Sequence, residues 1–249
     1  MLYWDWVSFF KYLVSPFMLE GAWTTLWLSV VCMVIGIVLG FASALMMMSS
    51  NRTLRAIAGF YVWLWRGTPL LVQLVIIYTG LPQLGIKLGV IESVLLGLGL
   101  NEGAYFSEII RAGIMAVDKG QFDAGRALSM DYRVLLRVVV LPQAARIIVP
   151  PLGNQFNGLL KTSSLASVVS MEELLRHAQE LAQIEFRVLE VYVVAAIYYL
   201  VMTTIWGRIQ MRIEAHFGRA YLPSAAGGSD VTVLAEREIA KAQLKQDSR

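Results

Sequence analysis

The sequence predicts an all-α integral membrane protein with about five transmembrane helices, and three observations predict it. Hydrophobic residues make up 57% of the 249-residue chain, mean hydropathy is +0.61, and only 16% of residues are charged, a balance foreign to soluble globules. The run from Gly21 to Asn51 carries no formal charge. It exceeds the roughly 20 residues a helix needs to cross a hydrocarbon core about 30 Å thick. Further apolar runs of spanning length follow at intervals, separated by short polar loops.

The opening segment, 1–20, lacks a basic start and a small-residue cleavage site, so the first span is expected to act as its own insertion signal. Trp4, Trp6, Phe9, Phe10, Tyr12 and Phe17 alternate there with Asp5 and Lys11, a composition suited to the lipid headgroup level. Five spans are then expected at 22–48, 56–80, 88–117, 138–165 and 189–211. The second is interrupted at Gly67-Thr68-Pro69, the third holds Asn101, Glu102 and Glu108, and the fourth holds Pro150-Pro151 and Asn154. Residues 21–215 thus form one membrane domain, and 216–249 a polar tail rich in Gly, Ser and mixed charge after Tyr221, read as a linker with a short amphipathic helix.

An odd number of spans puts the two ends of the chain on opposite sides. Arg52, Arg55, Lys119, Arg126, Arg133, Arg137, Arg208, Arg212 and Arg219 fall on one side, against Lys11, Lys87, Arg176 and Arg187 on the other. The positive-inside rule then places the N-terminus outside, and the loop around 121–137 and the C-terminus in the cytoplasm. The net charge of +3 is spread over several loops, so nucleic acid is not an expected partner. Cys32 lies alone inside the first span and reads as packing. His177 and His216 lack a second ligand at metal spacing and read as surface residues, and Met171 to Glu190 as a solvated acidic segment or a contact for an outer partner.

The segment QFDAGRALSMDYRVLLRVVVLP, Gln121 to Pro142, is the exception in this oily chain. Gln121 to Ser129 contains no proline, and Asp131 to Val140 alternates bases with bulky apolar residues before Leu141-Pro142. A short helix, a turn and an ascending helix are expected, with the short helix a docking element. Asp123-Ala124-Gly125, Ser129, Val139 and Leu141-Pro142 meet in spacing the cytoplasmic signature of ABC importer permeases, with Asp for Glu, Gly for Ala and Ser for Gly. WLWRGTPLLVQLVIIYTGLP (63–82), AYFSEIIRAGIMAVDKGQ (104–121) and LPQAARIIVPPLGNQFNGLLKTSSLASVV (141–169) resemble the polar amino-acid permeases of the histidine, glutamine, glutamate, arginine and opine group. The likeness runs from about residue 20 to 215.

The resemblance implies a type I ABC importer permease in the bacterial inner membrane. It would pair with a second permease subunit, identical or related, sit on a cytoplasmic ATPase dimer and receive substrate from a periplasmic binding protein. Asp123, Ala124, Gly125, Arg126, Ala127, Leu128 and Ser129 would then form the coupling helix seated on the ATPase. Small residues there permit close approach, and Asp123 and Arg126 offer charge-assisted contacts. The chain has no G-x-x-x-x-G-K-[ST] loop, so ATP and Mg belong to the partner and no cofactor is expected in this chain. H-E-x-x-H is absent and both histidines lie outside the spans, which argues against an intramembrane protease. The rival reading is a passive channel or membrane scaffold, which needs no ATPase docking helix.

An ionisable residue within a span costs at least ~2.5–3.5 kcal/mol at the centre on insertion scales, so each is a functional candidate. Arg66 directly precedes the Gly67-Thr68-Pro69 interruption, Thr68 lies within it, and Asn101 and Glu102 follow on the third span. Asn101, Tyr105 and Glu108 are expected to share one helical face, with Glu102 pointing elsewhere and Glu108 close to Arg111. Asn154, Asn157, Gly158 and Lys161 form a stripe on the fourth span, suited to a helix interface or a polar path. Arg66, Thr68, Asn101, Glu102, Asn154 and Asn157 are the candidate path. For a zwitterionic amino acid they supply donors for the carboxylate and acceptors for the ammonium.

Overall fold

A computed structural model describes residues 4–218, which form helices and no strand. The polar tail expected from 216 lies, after its first residues, outside the described residues. Helix α1 (Trp6–Leu13) is short, starts at an Asp5 cap whose carboxylate accepts from Val7 N, and buries Phe9 and Tyr12. Proline at the first position then opens α2 (Pro16–Met48), which begins earlier than the expected span and runs straight through the uncharged stretch. The second expected span is divided at its predicted interruption into α3 (Arg52–Gly67) and α4 (Leu70–Val75, continuing through a π turn and a 3-10 turn to Leu84). The two are bent by 104°. Pro69 has no N–H to continue the ladder and excludes the residue before it from helical geometry, so Thr68 is extended at φ −120°, ψ 146°.

Helix α5 (Val90–Met115) is the axis of the molecule. It shares its most extensive packing with α2 and also meets α3, α4 and α8. Glycines make this approach possible. A Cβ on Gly40 of α2 would stand 2.6 Å from Phe106 Cβ, and one on Gly36 would stand 2.9 Å from Glu102 Cβ. Helix α6 (Lys119–Ala127) follows, then α7 (Tyr132–Leu135), which passes through a π turn into α8 (Leu141–Thr162). Helix α9 (Leu174–Glu185) and the long α10 (Val188–Gly218) complete the described chain.

Three stretches are long and apolar enough to cross a membrane, Pro16–Met48, Tyr132–Val169 and Val188–Phe217, or four if the bent pair counts as one. The remaining expected span, the third, is α5, which is long enough but carries Glu92, Glu102, Glu108 and Arg111. Neighbouring helices shield it instead, which is how charge is tolerated at membrane depth. Large apolar side chains such as Val38, Trp63 and Leu200 point outward, as a lipid solvent requires.

Two expectations about the α9 end are corrected. His177 is buried, stacks on Phe17 with ring centroids 4.1 Å apart, and places Nδ1 2.6 Å from the Phe17 carbonyl. The acidic segment is not simply solvated. Glu173 and Glu190 are buried, while Glu180 pairs with Arg176 at 2.8 Å and Glu185 with Lys11 at 2.9 Å. Only tertiary contacts with α1, α2 and α10 decide this, because a charge count sees acids and not their partners.

Candidate functional site: a cleft at the helix break

The break between α3 and α4 frees backbone groups that must find partners inside the molecule. The Trp65 carbonyl accepts from Gln73 Nε2 at 2.8 Å and from Asn101 Nδ2 at 3.1 Å. Gln73 Nε2 also donates to the Thr68 carbonyl at 3.1 Å and to Thr68 Oγ1 at 2.7 Å, and its Oε1 accepts from Asn101 at 2.9 Å. Thr68 Oγ1 in turn donates to the Leu64 carbonyl at 2.8 Å. These amides hold the bend open, so the break is a built corner and not a fray. Gln73, which sequence reasoning passed over, is its keystone. The available signal was a lone amide one turn after Pro69 in an otherwise apolar run.

Beside this corner lies a cleft of about 560 Å³, lined by the 66–70 segment, by Asn101, Glu102 and Tyr105 of α5, and by Gln155, Gly158 and Thr162 of α8. That volume falls in the range of small-molecule sites. Arg66 reaches it with its guanidinium 5.2 Å from the Tyr105 ring centroid and 3.3 Å from Glu108 Oε2. Arg111 lies 3.5 Å from the other Glu108 oxygen. Glu102 is only 3% exposed and among the described residues has a single side-chain hydrogen-bond partner, Gln155 Nε2 at 3.1 Å. The cleft therefore presents a guanidinium and a sparsely satisfied carboxylate to one space, a pairing suited to a ligand with separated charges.

Of the six candidate path residues, Arg66, Thr68, Asn101 and Glu102 line the cleft, and Asn154 and Asn157 do not. Glu102 was expected to point away from Asn101 and Tyr105. Adjacent positions differ by about 100° around a helix, and a cleft broad enough to span that angle admits them all. Asn154 Oδ1 instead accepts from Gln210 Nε2 of α10 at 2.9 Å, next to Pro150-Pro151, where Trp206 Nε1 donates to the Gly153 carbonyl at 2.8 Å. The Asn157 side-chain oxygen Oδ1 is buried without a hydrogen-bond partner within the described residues. The helical stripe of the fourth span is thus divided between two neighbours.

At the other candidate region, Asp118 caps α6 by accepting from Gly120 N at 2.6 Å. The helix ends in a left-handed Ser129 at φ 54°, with Ser129 N donating to Arg126 O and Met130 N to Gly125 O. This closing geometry favours glycine, which explains the spacing signature at that position. Gly125 is buried against Leu135, so its lack of a side chain serves packing within the chain and not approach from outside. Asp123, Ala124, Arg126, Ala127 and Leu128 all face outward, with Leu128 76% exposed and the Asp123–Arg126 pair at 3.6 Å open to solvent.

Comparison with known proteins places this architecture. Residues 33–219 match the family model described as binding-protein-dependent transport system inner membrane component. The chain is 38% identical over 226 residues to an arginine transport system permease protein of Corynebacterium glutamicum, covering 85% of this chain and 72% of that one. It is 40% identical over 211 residues to a putative glutamine transport system permease protein of Rickettsia bellii, covering 82% and 97%. An L-cystine transport system permease protein of Bacillus subtilis is 40% identical over 205 residues, covering 82% and 88%. The crystal structure of an amino acid ABC transporter with histidines superposes with a TM-score of 0.81 at 39% identity, over 86% of this chain and 100% of that one. An inward-facing structure of the methionine ABC transporter MetNI shares the fold at TM-score 0.69 and 18% identity, over 81% and 96%. The chain therefore belongs to the binding-protein-dependent transport system inner membrane components, the permease subunits of ABC importers, which are transport components and not enzymes.

Proposed function

We propose that this permease carries a polar amino acid and is driven by a separate ATPase that docks on α6. The observation that carries this reading is the placement of α6. It joins the end of α5 to the start of the α7–α8 segment, and α5 and α8 are two walls of the cleft. A push on the exposed face of α6 therefore reaches both walls through a few residues of chain, the kind of coupling by which a partner's closure becomes helix rotation. The cargo reading draws on relatives named for arginine, glutamine and cystine transport and on the charges of the cleft. Arg66 suits the α-carboxylate, and Glu102 the ammonium or a basic side chain.

The remaining assembly follows the same reading. A second permease subunit, identical or related, completes the membrane pore, the ATPase dimer uses ATP and Mg, and a periplasmic binding protein delivers substrate at the α9 end. The N-terminus is outside, and α6 and the tail from 216 are cytoplasmic. Segment 1–20 forms the interfacial lead to the membrane domain of 21–215.

Replacing Ala127 by Glu tests the docking. Uptake in vesicles with the ATPase and binding protein should be lost while the protein stays in the membrane, as read by blotting of membrane fractions. Undiminished uptake would count against α6 as the coupling element. Flux that persists without nucleotide in the unsubstituted protein would favour the passive channel.

A further inference from the structure

Glu108 stands between two guanidiniums. Its Oε2 lies 3.3 Å from Arg66 and its Oε1 lies 3.5 Å from Arg111. The three side chains retain 40%, 32% and 33% of their exposure, so their pairing can change without unpacking the helices. One carboxylate cannot saturate two guanidiniums. Among the described residues Arg111 Nε is buried with no hydrogen-bond partner, although its Nη1 contacts Met115 Sδ at 3.3 Å. A buried donor without an acceptor is costly and calls for an explanation.

We propose, on the cleft reading above, that Glu108 is an exchangeable latch on Arg66, holding its guanidinium in the empty permease and yielding it to the carboxylate of an incoming ligand. Released from Arg66, Glu108 turns to Arg111 and accepts from Nε and Nη2 together, the bidentate arrangement in which Arg–carboxylate pairs are strongest. The orphaned Nε gains its acceptor at that moment, and no carboxylate is stranded. Arg66 keeps its place because the Tyr105 ring lies under its guanidinium and because it occupies the last turn of α3, where the helix dipole favours a cation. Glu108 is a positioning residue. Its competition with the ligand lowers apparent affinity by the fraction of molecules in which Arg66 is free.

The test measures equilibrium binding to the permease purified with its accompanying subunits, using L-arginine, L-glutamine and agmatine, which is arginine without its carboxylate. Glu108→Gln should raise the affinity for both amino acids about tenfold and leave agmatine without a gain. Glu108→Asp keeps the charge but is one methylene shorter and cannot hold both arginines, so it should raise amino-acid affinity as well. If Glu108→Asp behaves as the unsubstituted protein while Glu108→Gln binds tighter, the effect is that of a nearby charge and the latch is overturned. A common shift of all three ligands, or none for either variant, overturns it too. Amino-acid binding to neither the unsubstituted protein nor the variants would remove the cleft reading itself, and the latch with it. Binding to the unsubstituted protein that the variants leave unaltered removes the latch alone.

Discussion

Two buried carboxylates, Glu173 at the α9 end and Glu102 in the cleft, are nearly equal in exposure at 0% and 3% and opposite in how they are satisfied. Glu173 caps α9, accepting from Arg176 N at 2.8 Å through one oxygen and from Tyr199 OH at 2.8 Å through the other. Thr25 Oγ1 is 3.4 Å away and shares its single proton with the Gly21 carbonyl at 3.1 Å, while itself accepting from Leu174 N at 3.1 Å. This knot ties α2, α9 and α10 together with the stacked Phe17–His177 pair beside it. Glu102 has Gln155 and an open space. Burial alone does not mark a functional carboxylate. Unused acceptor capacity facing a cavity does.

The largest expected effect comes from emptying the saturated site. Glu173→Ala leaves Arg176 N and Tyr199 OH without acceptors and should cost about 3 kcal/mol of stability, read as a lower melting temperature in detergent. A melting temperature unchanged from the parent would erase the contrast. Next, Glu102→Gln keeps an amide partner for Gln155 and should move stability by less than about 1 kcal/mol. It should also weaken preference for a cationic amino acid about tenfold in competition uptake. Unaltered preference together with a collapse in stability would put Glu102 in the same structural class as Glu173. Thr25→Val, which removes the shared proton and also the acceptor of the buried Leu174 N, should cost about 1–2 kcal/mol.

The smallest effect is a pH dependence confined to the α9 end. Burial lifts the Glu173 carboxyl above its ordinary value of 4.5, against the opposing pull of its hydrogen bonds. Between that ordinary value and the raised one the folded chain retains a proton that the unfolded chain has lost. Stability there falls as pH rises, and levels off once the folded carboxyl ionises. Amide exchange in α9, corrected for the intrinsic pH effect, should quicken across this window and stay flat in Glu173→Gln.

The chain by itself determined the class and the outline. Apolar runs fix helices because a bilayer leaves backbone groups no partner but each other. The 121–142 segment announced a short helix, its turn and the ascending helix through its lack of proline and its alternation of bases with apolar residues, and Pro69 announced the break. Arg66, Thr68, Asn101 and Glu102 were legible as costly polar groups at membrane depth.

The tertiary structure alone decided where those groups point and which are in use. It bent the second span by 104° and gave the corner to Gln73. It turned Asn154 toward Gln210 and away from the cleft, and sealed His177 and Glu173 inside an end that charge counting had assigned to solvent. The reason is physical: periodicity fixes the face of a residue on its own helix, but satisfaction of a buried polar group depends on what another helix, distant in sequence, brings within hydrogen-bond reach.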